Sequence, residues 1–223
     1  MDISRIFAAA APNALANYTS GLAAAAPKIQ SFEITNPIRI ANFLAQVLHE
    51  CGGGTVLFER MGFTTTARLL QIFGVGHHSA KVTAAEAPGL LRNGPKLAER
   101  VYGLGNPKKA KELGNTQPGD GFQYRGGGAL QTTGRDAYRR MGNRIGVDLE
   151  AHPELIVDPA HAFIPALEEW NDGHLNAAAD ANRIRHITLV INGGVNGLPE
   201  RRTLFKKVWS IATDGTPPPP FGD

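Results

Sequence analysis

The sequence of 223 residues contains a single cysteine, Cys51, and only 7% aromatic residues. One cysteine excludes an internal disulfide, and it equally excludes a metal site built from several thiolates. No stretch reaches the ~20 consecutive apolar residues that a membrane-spanning helix requires. The net charge is only +3, and so small and scattered an excess does not indicate a nucleic-acid-binding protein.

The composition is nevertheless that of a globular protein. Hydrophobic residues make up 42% and charged residues 19%, a balance typical of folded chains. The length suits one large domain or two lobes. An acidic second residue and a short apolar stretch interrupted by Pro12 argue against a cleaved signal peptide. We therefore expect synthesis in the cytoplasm, with any target outside it reached by another route.

Helix signals dominate and strand signals are few, so the sequence predicts a mainly α protein. The predicted helices cover residues 3–10, 13–26, 37–50, 66–73, 95–102, 135–145, 158–170, 177–191 and 199–211. The segment 103–128 is rich in glycine, proline and asparagine, which predicts a loop with a short strand pair near residues 122–125. Residues 1–213 are expected to form one domain, followed by a mobile proline-rich tail at 214–223.

Two acids, Glu50 and Glu59, flank a run of glycines. Asn36 and Pro37 predict the start of an apolar helix that ends near Glu50, where three glycines follow almost at once. The glycines let the chain turn back, so that both acids can face one substrate. A helix C-terminus and apolar neighbours disfavour charge on Glu50, which suits a general acid. Glu59, on a presumed loop beside Arg60, should stay ionised and suits a base. Two carboxylates in unequal environments suit hydrolysis of glycosidic bonds.

Both acids also have interpretations in which they take no part in catalysis. Glu50 could be an exposed acid at a helix end, and Glu59 could form a surface ion pair with the arginine that follows it. A zinc-protease motif would need a histidine three residues after Glu50, where the sequence has Gly53. His77 and His78 are adjacent but have no acid or cysteine cluster nearby, so no metal site is predicted.

The segment 119–138 interleaves glycines with aromatic and polar side chains. Glycines permit close approach of a ligand to the backbone. Tyr124, Gln131, Thr133 and Tyr138 offer stacking surfaces and hydrogen bonds suited to sugars. The spacing fits neither a dinucleotide-binding fingerprint nor a phosphate-binding loop. An ordinary glycine-rich turn is the alternative.

A third segment reads Ile191-Asn-Gly-Gly-Val-Asn-Gly-Leu-Pro-Glu-Arg201. Asn192 falls at a predicted helix end before two glycines, and it could simply cap that helix. Its functional interpretation is an amide that orients a sugar or the attacking water.

Together, the three segments resemble glycoside hydrolase family 19, and within it the compact phage-type endolysins. Phe43-Leu-Ala-Gln-Val-Leu-His-Glu50 matches the family's Phe-x-Ala-Gln-x-x-His-Glu, and the spacing to Glu59 also matches. Tyr124-Arg-Gly-Gly-Gly-Ala-Leu-Gln-Thr-Thr-Gly-Arg135 is similar to Tyr-Arg-Gly-Arg-Gly-x-x-Gln-Leu-Thr-Gly-Arg. The segment 191–201 matches a late Asn-Gly-Gly block. The resemblance runs over nearly the whole chain.

The resemblance implies a lysozyme-like, two-lobed helical fold with at most a small β-hairpin. It also implies an inverting glycosidase that needs no metal or organic cofactor. Glu50 would be the general acid, Glu59 the general base, and Thr133 would help to hold the catalytic water. The implied substrate contacts are Gln131, Tyr124, Asn192, Arg201 and Tyr138. Arg201 could alternatively tune a catalytic acid.

The sequence departs from the family pattern at several positions. Gly127 replaces an expected arginine, Arg60 and Gly62 stand where asparagines are usual, and Phe63 replaces a tyrosine. None of these changes removes a catalytic carboxylate, but those after the second acid leave the placement of Glu59 open.

The expected function is hydrolysis of β-1,4 bonds between amino sugars, with peptidoglycan strands as the partner. The mild basic excess suits such an anionic wall polymer. We expect a monomer that neither binds nucleic acid nor inserts stably into a membrane. The alternatives are a chitinase, a glycan-binding protein without activity, which only Gly127 supports, and an effector delivered between bacteria, which would share the chemistry but differ in route.

Overall fold

The computed structural model describes residues 2–223, which divide into two compact units. Unit 1 comprises residues 2–57, 128–130 and 155–223. Unit 2 comprises Phe58–Gly127 and Gln131–Glu154. The chain therefore passes from one unit to the other four times. Each unit is assembled from separate segments around a core of its own.

Helices are the main regular structure of both units, which confirms the prediction of a mainly α protein. The α-helices, α1 to α13 in chain order, are Ile3–Ala10, Ala16–Ala24, Ala26–Ser31, Pro37–Glu50, Thr66–Phe73, Gly94–Tyr102, Pro107–Leu113, Asp120–Gln123, Arg135–Ile145, Ile164–Asp172, Leu175–Asp180, Ile184–Asn192 and Leu198–Ala212. Two short 3-10 helices cover Ala87–Leu90 and Pro153–Val157. Extended pairing between residues 2 and 223 is limited to isolated bridges. No helix in that range is both long and apolar enough to cross a bilayer.

Helix α4 is the centre of unit 1. The side chain of Asn36 caps its first turn and Pro37 occupies its first position, as the sequence predicts. Nine consecutive residues, Ile40 to Leu48, are buried, so α4 is enclosed on every face. Helix α13 packs along it, and the ring of Phe43 meets Trp170 edge-on at 5.5 Å. This enclosure fixes the direction in which the last turn of α4 presents its side chains.

The core of unit 2 is smaller and forms around α5 and α6. Leu69, Phe73, Leu97 and Val101 are all at most 2% exposed. Helix α8 lies against α6 at a glycine, because a Cβ on Gly121 would come within 2.5 Å of a backbone oxygen of α6. Residues 120–123 are thus helical and not part of the predicted strand pair.

The loop predicted at 103–128 also contains α7. Asn106 accepts a hydrogen bond from the backbone of Lys109, and Pro107 occupies the first helical position. This is the same start signal that identifies α4. Helix α7 escapes a prediction based on periodicity because its sequence, PKKAKEL, has almost no apolar face.

Three predicted helices have different bounds in the structure. The helix predicted over 13–26 begins only at Ala16 and ends at Ala24, and a separate helix, α3, follows from Ala26. The helix expected from residue 158 begins only at Ile164, since the preceding residues form turns. The helix predicted over 177–191 is broken at Asn182, which has a left-handed φ of 49° and separates α11 from α12. Asparagine tolerates this conformation better than most residues.

The tail at 214–223, expected to be mobile, is held against unit 1. The Asn182 side chain donates to the carbonyl oxygens of Pro219 and Pro220 at 3.1 Å each. The ring of Phe221 lies 5.3 Å from that of Phe205. A proline-rich segment offers carbonyl acceptors without donors of its own, and Asn182 supplies the donors.

Removal of residues 219–223 should therefore lower the free energy of unfolding by roughly 1–3 kcal/mol, since it exposes an apolar ring and breaks several hydrogen bonds. Chemical denaturation of the full-length and shortened proteins measures this. Substitution of the exposed Pro217 by alanine is the control and should have no effect. Equal unfolding free energies for the full-length and shortened proteins would contradict a stabilising tail.

Candidate active site

In unit 1, Glu50 is the last residue of α4 and is held by two neighbouring helices. The guanidinium of Arg201, in α13, donates to Oε1 of Glu50. Asn192, the last residue of α12, donates to the same oxygen at 3.4 Å. The Glu50 side chain is 18% exposed, whereas Arg201 is completely buried. The carboxylate is thus fixed through Oε1, while Oε2 receives neither of these hydrogen bonds.

Arg201 is itself held by a buried polar network. It donates to Oε1 of Gln46 at 2.6 Å and to the backbone oxygen of Asn196 at 3.3 Å. Gln46 donates in turn to the hydroxyl of Thr188 at 3.3 Å, and that hydroxyl donates to the backbone within α12. The network joins α4, α12 and α13 and fixes the plane of the guanidinium.

This burial corrects one sequence-based prediction and adds two residues. Arg201 is inaccessible, so its predicted contact with substrate is wrong. Its contact with Glu50 agrees with the alternative, that it tunes a catalytic acid. Gln46 and Thr188 were not identified as site residues. Gln46 belongs to the sequence motif that ends at Glu50, so that motif could have identified it as a site residue. No feature of the sequence identifies Thr188 as one.

His49 precedes the acid and packs against the start of α13. A Cβ on Gly197 would overlap the imidazole ring, so the glycine makes room for it. Burial, and then the charge of Arg201, lower the pKa of His49. No group of three or more His, Cys, Asp and Glu side chains within residues 2–223 is arranged to hold a metal ion.

In unit 2, Glu59 lies beside a short antiparallel bridge between Phe58 and Gly127. Its backbone N–H donates to the oxygen of Gly126 at 2.7 Å. The hydroxyl of Tyr102, the last residue of α6, donates to Oε1 of Glu59 at 2.8 Å. The acid is therefore anchored by its backbone and by its side chain.

The environment of Glu59 differs from the exposed loop that the sequence predicts. Burial raises the pKa of Glu59, and the hydrogen bond from Tyr102, the backbone of Gly126 and the charge of Arg125 oppose that rise. No ion pair forms between Glu59 and Arg60 in the described structure. The cation that acts on Glu59 is Arg125, whose guanidinium stacks 4.0 Å from the ring centroid of Phe122.

Gln131 and Thr133 adjoin Gly126, a residue that also contacts Glu59. A Cβ on Gly126 would come within 3.0 Å of Oε1 of Gln131 and 3.3 Å of the hydroxyl of Thr133. Gly126 also binds the backbone of Glu59, so these polar side chains and the acid share one neighbour. The Thr133 hydroxyl donates to the backbone oxygen of Gln131 at 2.8 Å. Three predicted site residues therefore have Gly126 as a common neighbour.

Tyr124 and Tyr138 have a different role from the one predicted. They are 1% and 0% exposed, with ring centroids 5.4 Å apart. Tyr124 donates to the backbone of Glu150 at 2.8 Å, and Tyr138 donates to the backbone of Arg125 at 2.9 Å. Rings buried in this way cannot stack on a sugar, so the prediction of substrate contact is wrong. They support the segment that carries Arg125.

Replacement of Tyr102 by phenylalanine should raise the pKa of Glu59 further, because the phenolic hydrogen bond favours the charged carboxylate. Carboxyl-detected NMR titration of the wild type and the variant measures the shift. Tyr124→Phe is the matched control, since that hydroxyl bonds elsewhere. A titration midpoint that stays the same or falls in Tyr102→Phe would show that the hydrogen bond does not stabilise the anion.

Comparison with known proteins identifies the family of the chain. No family profile matches the chain. A protein of Haemophilus influenzae strain Rd, described as a glycosyl hydrolase family 19 domain-containing protein, is 30% identical over 190 residues, which is 84% of this chain and 86% of that protein.

Solved structures of chitinases share the fold. Chitinase C from Streptomyces griseus HUT6037 superposes with a TM-score of 0.62 at 23% identity over 97% of this chain and 78% of that one. A bacterial family 19 chitinase gives 0.63 at 21% identity, covering 97% of both chains. A class IV chitinase from Zea mays gives 0.52 at 17% identity, over 97% of this chain and 92% of its own. By sequence and by its lysozyme-like helical fold, the chain belongs to glycosyl hydrolase family 19 and is a glycosidase.

Proposed function

We propose that this glycosidase cleaves β-1,4 bonds between the amino sugars of peptidoglycan by an inverting reaction. The proposal rests on the way in which hydrogen bonds hold the two acids, Glu50 and Glu59. Each is fixed by hydrogen bonds through one carboxylate oxygen, Glu50 by Arg201 and Asn192, and Glu59 by Tyr102. Carboxylates held in one orientation but in different surroundings suit general acid–base hydrolysis.

In the proposed reaction, Glu50 gives a proton to the glycosidic oxygen as the bond breaks. Glu59 takes a proton from the attacking water, which the hydroxyl of Thr133 helps to position. The water adds to the opposite face of the sugar, so the product has the inverted anomeric configuration. Inversion requires the two carboxyl groups to stand about 6.5–9.5 Å apart, with room for that water. Gln131 and the exposed Asn192 are the proposed sugar contacts.

Peptidoglycan is proposed over chitin on two grounds. The motifs resemble those of endolysins, and the basic excess of the chain suits an anionic polymer. Such an enzyme acts outside the cytoplasmic membrane, where the wall lies. The structurally similar proteins are chitinases, so chitin is the alternative substrate.

The electrostatics support a second division of roles. Arg201 places a buried positive charge against Glu50, whereas burial raises the pKa of Glu59. A carboxyl group with a raised pKa retains a proton more readily, which suits an acid. On this ground Glu59 would be the acid, the reverse of the role that the motifs imply for it.

The experiment that tests the function is digestion of purified peptidoglycan and of chitin oligomers in parallel. Mass spectrometry of the products identifies the cleaved bond from the sugar at the new reducing end. NMR of the first product formed reports its anomeric configuration. We expect new reducing ends from peptidoglycan with inverted configuration. Cleavage of chitin oligomers alone would favour the chitinase alternative, and a retained configuration would refute the inverting mechanism.

A further inference from the structure

The positive charge of the chain is concentrated on two helices of unit 2. Helices α7 and α9 together carry seven Lys and Arg against two Asp and Glu. The rest of unit 2 is balanced, with seven of each, and unit 1 has nine basic against 11 acidic residues. The seven cations are Lys108, Lys109, Lys111, Arg135, Arg139, Arg140 and Arg144. The slight excess of the whole chain thus conceals a strong local one.

Three of these cations are available to a partner. Lys108, Lys111 and Arg140 are exposed, and no carboxylate of residues 2–223 lies within 4.0 Å of their charged groups. Arg135 and Arg139, in contrast, are paired with acids of unit 2. An exposed cation without a counter-charge keeps its full attraction for an anion in solution.

The two helices are joined rigidly. A Cβ on Gly114, which ends α7, would overlap the carboxylate of Asp136 in α9. The side chain of Asn115 accepts a hydrogen bond from the backbone of Arg135 at 2.9 Å. A cleft of about 620 Å³, lined partly by Lys111, lies along this contact. We call the exposed cations and this cleft the α7–α9 surface.

We propose that the α7–α9 surface binds the carboxylates of peptidoglycan stem peptides and so favours that polymer over uncharged chitin. The proposal rests on the proposed function. Stem peptides present carboxylates repeatedly along the strand, whereas chitin offers none. Lysine ammonium groups on flexible stems can follow mobile carboxylates, and the guanidinium of Arg140 can bind one with two hydrogen bonds.

The α7–α9 surface is linked to the residues around Glu59 in the same unit. Helix α9 begins two residues after Thr133. From its first turns, Tyr138 donates to the backbone of Arg125, whose charge acts on Glu59. A strand held at this surface is therefore held by the element that follows the proposed water-binding threonine.

The test is co-sedimentation with purified peptidoglycan stripped of other wall polymers, using Glu50→Gln as background to limit digestion. The combined variant Lys108→Glu, Lys111→Glu and Arg140→Glu should lose about tenfold or more in affinity at low salt, and the loss should fade at ~1 M salt. Binding to chitin, and to peptidoglycan whose carboxylates have been amidated, should be the same for both proteins.

The matched control is Lys81→Glu, Lys96→Glu and Lys206→Glu. These residues are also exposed, and their substitution changes the net charge equally. Equal loss of affinity in the control would overturn the proposal, since net charge alone would then explain the loss. Wild-type binding that survives amidation, or that requires phosphate polymers, would overturn it too. If the wild type binds peptidoglycan by these criteria but releases no new reducing ends, the proposed function fails while the binding surface stands.

Discussion

Glu50→Gln should lower turnover of the natural glycan by about 10²–10⁴-fold, because the leaving oxygen loses its proton donor. The same variant should retain much of its activity on an aryl glycoside with a good leaving group, since such a group departs without a proton. The change from carboxylate to amide keeps the shape of the side chain, so the contact with Asn192 can persist. Steady-state kinetics on both substrates, with circular dichroism to check folding, measure this prediction.

Glu59→Ala gives the complementary result if Glu59 is the base. Loss of turnover should then extend to the activated substrate, because the water still needs to be deprotonated. Added azide should restore turnover, since it attacks without giving up a proton, and it should yield the inverted glycosyl azide. Azide rescue of Glu50→Ala, with leaving-group rescue of Glu59→Gln, would establish the reverse assignment that the electrostatics support.

Glu200→Gln is the control for both substitutions. Glu200 is exposed in the first turn of α13, in the same unit as Glu50. We expect near wild-type turnover on either substrate. If Glu50→Gln likewise retained full turnover on peptidoglycan and on chitin, Glu50 would not be catalytic and the proposed mechanism would fail.

Arg201→Met should lower the free energy of unfolding by roughly 2–4 kcal/mol. Removing one partner of a buried ion pair leaves the other without compensation, and Oε1 of Gln46 loses its donor as well. The partial exposure of Glu50, 18% of its side chain, lets water relieve part of this cost. Arg201→Lys should cause a smaller loss of stability than Arg201→Met. The lysine ammonium keeps the positive charge, but it lacks the planar guanidinium that binds both acceptors.

A double-mutant cycle separates the ion pair from simple packing. If the pair accounts for the loss, Arg201→Met should cost distinctly less in a Glu50→Gln background, measured by chemical denaturation. Lys206→Met, exposed on the same helix, should leave stability unchanged. An equal cost of Arg201→Met in both backgrounds would mean that packing alone, and not the carboxylate, explains the role of the arginine.

Local sequence signals are sufficient to predict helix α4, which contains Glu50. The start of α4 follows from Asn36 and Pro37, and its end follows from the glycines after Glu50, because capping depends on neighbouring residues only. The bounds predicted for α1, α4 and α9 agree with the structure. Helix α7 has the same start signal but lacks an apolar stripe, so periodicity missed it.

The partners of the acids could not be predicted in the same way. Tyr102 lies 43 residues from Glu59, and Arg201 lies 151 residues from Glu50, so only the folded chain brings each pair together. The predicted role of two aromatic residues was wrong for a related reason. Tyr124 and Tyr138 have the side chains of a sugar-binding surface, but burial is decided by packing, and composition does not reveal it.

The discontinuous assembly of the two units has a consequence for how this protein can be altered. Because the chain passes between them four times, no single cut and no single genetic crossover yields either unit intact. A chimaera that exchanges the first 57 residues would transplant α4 and Glu50 without α12 and α13, which hold that acid. A functional exchange between relatives must therefore keep the segments of each unit together.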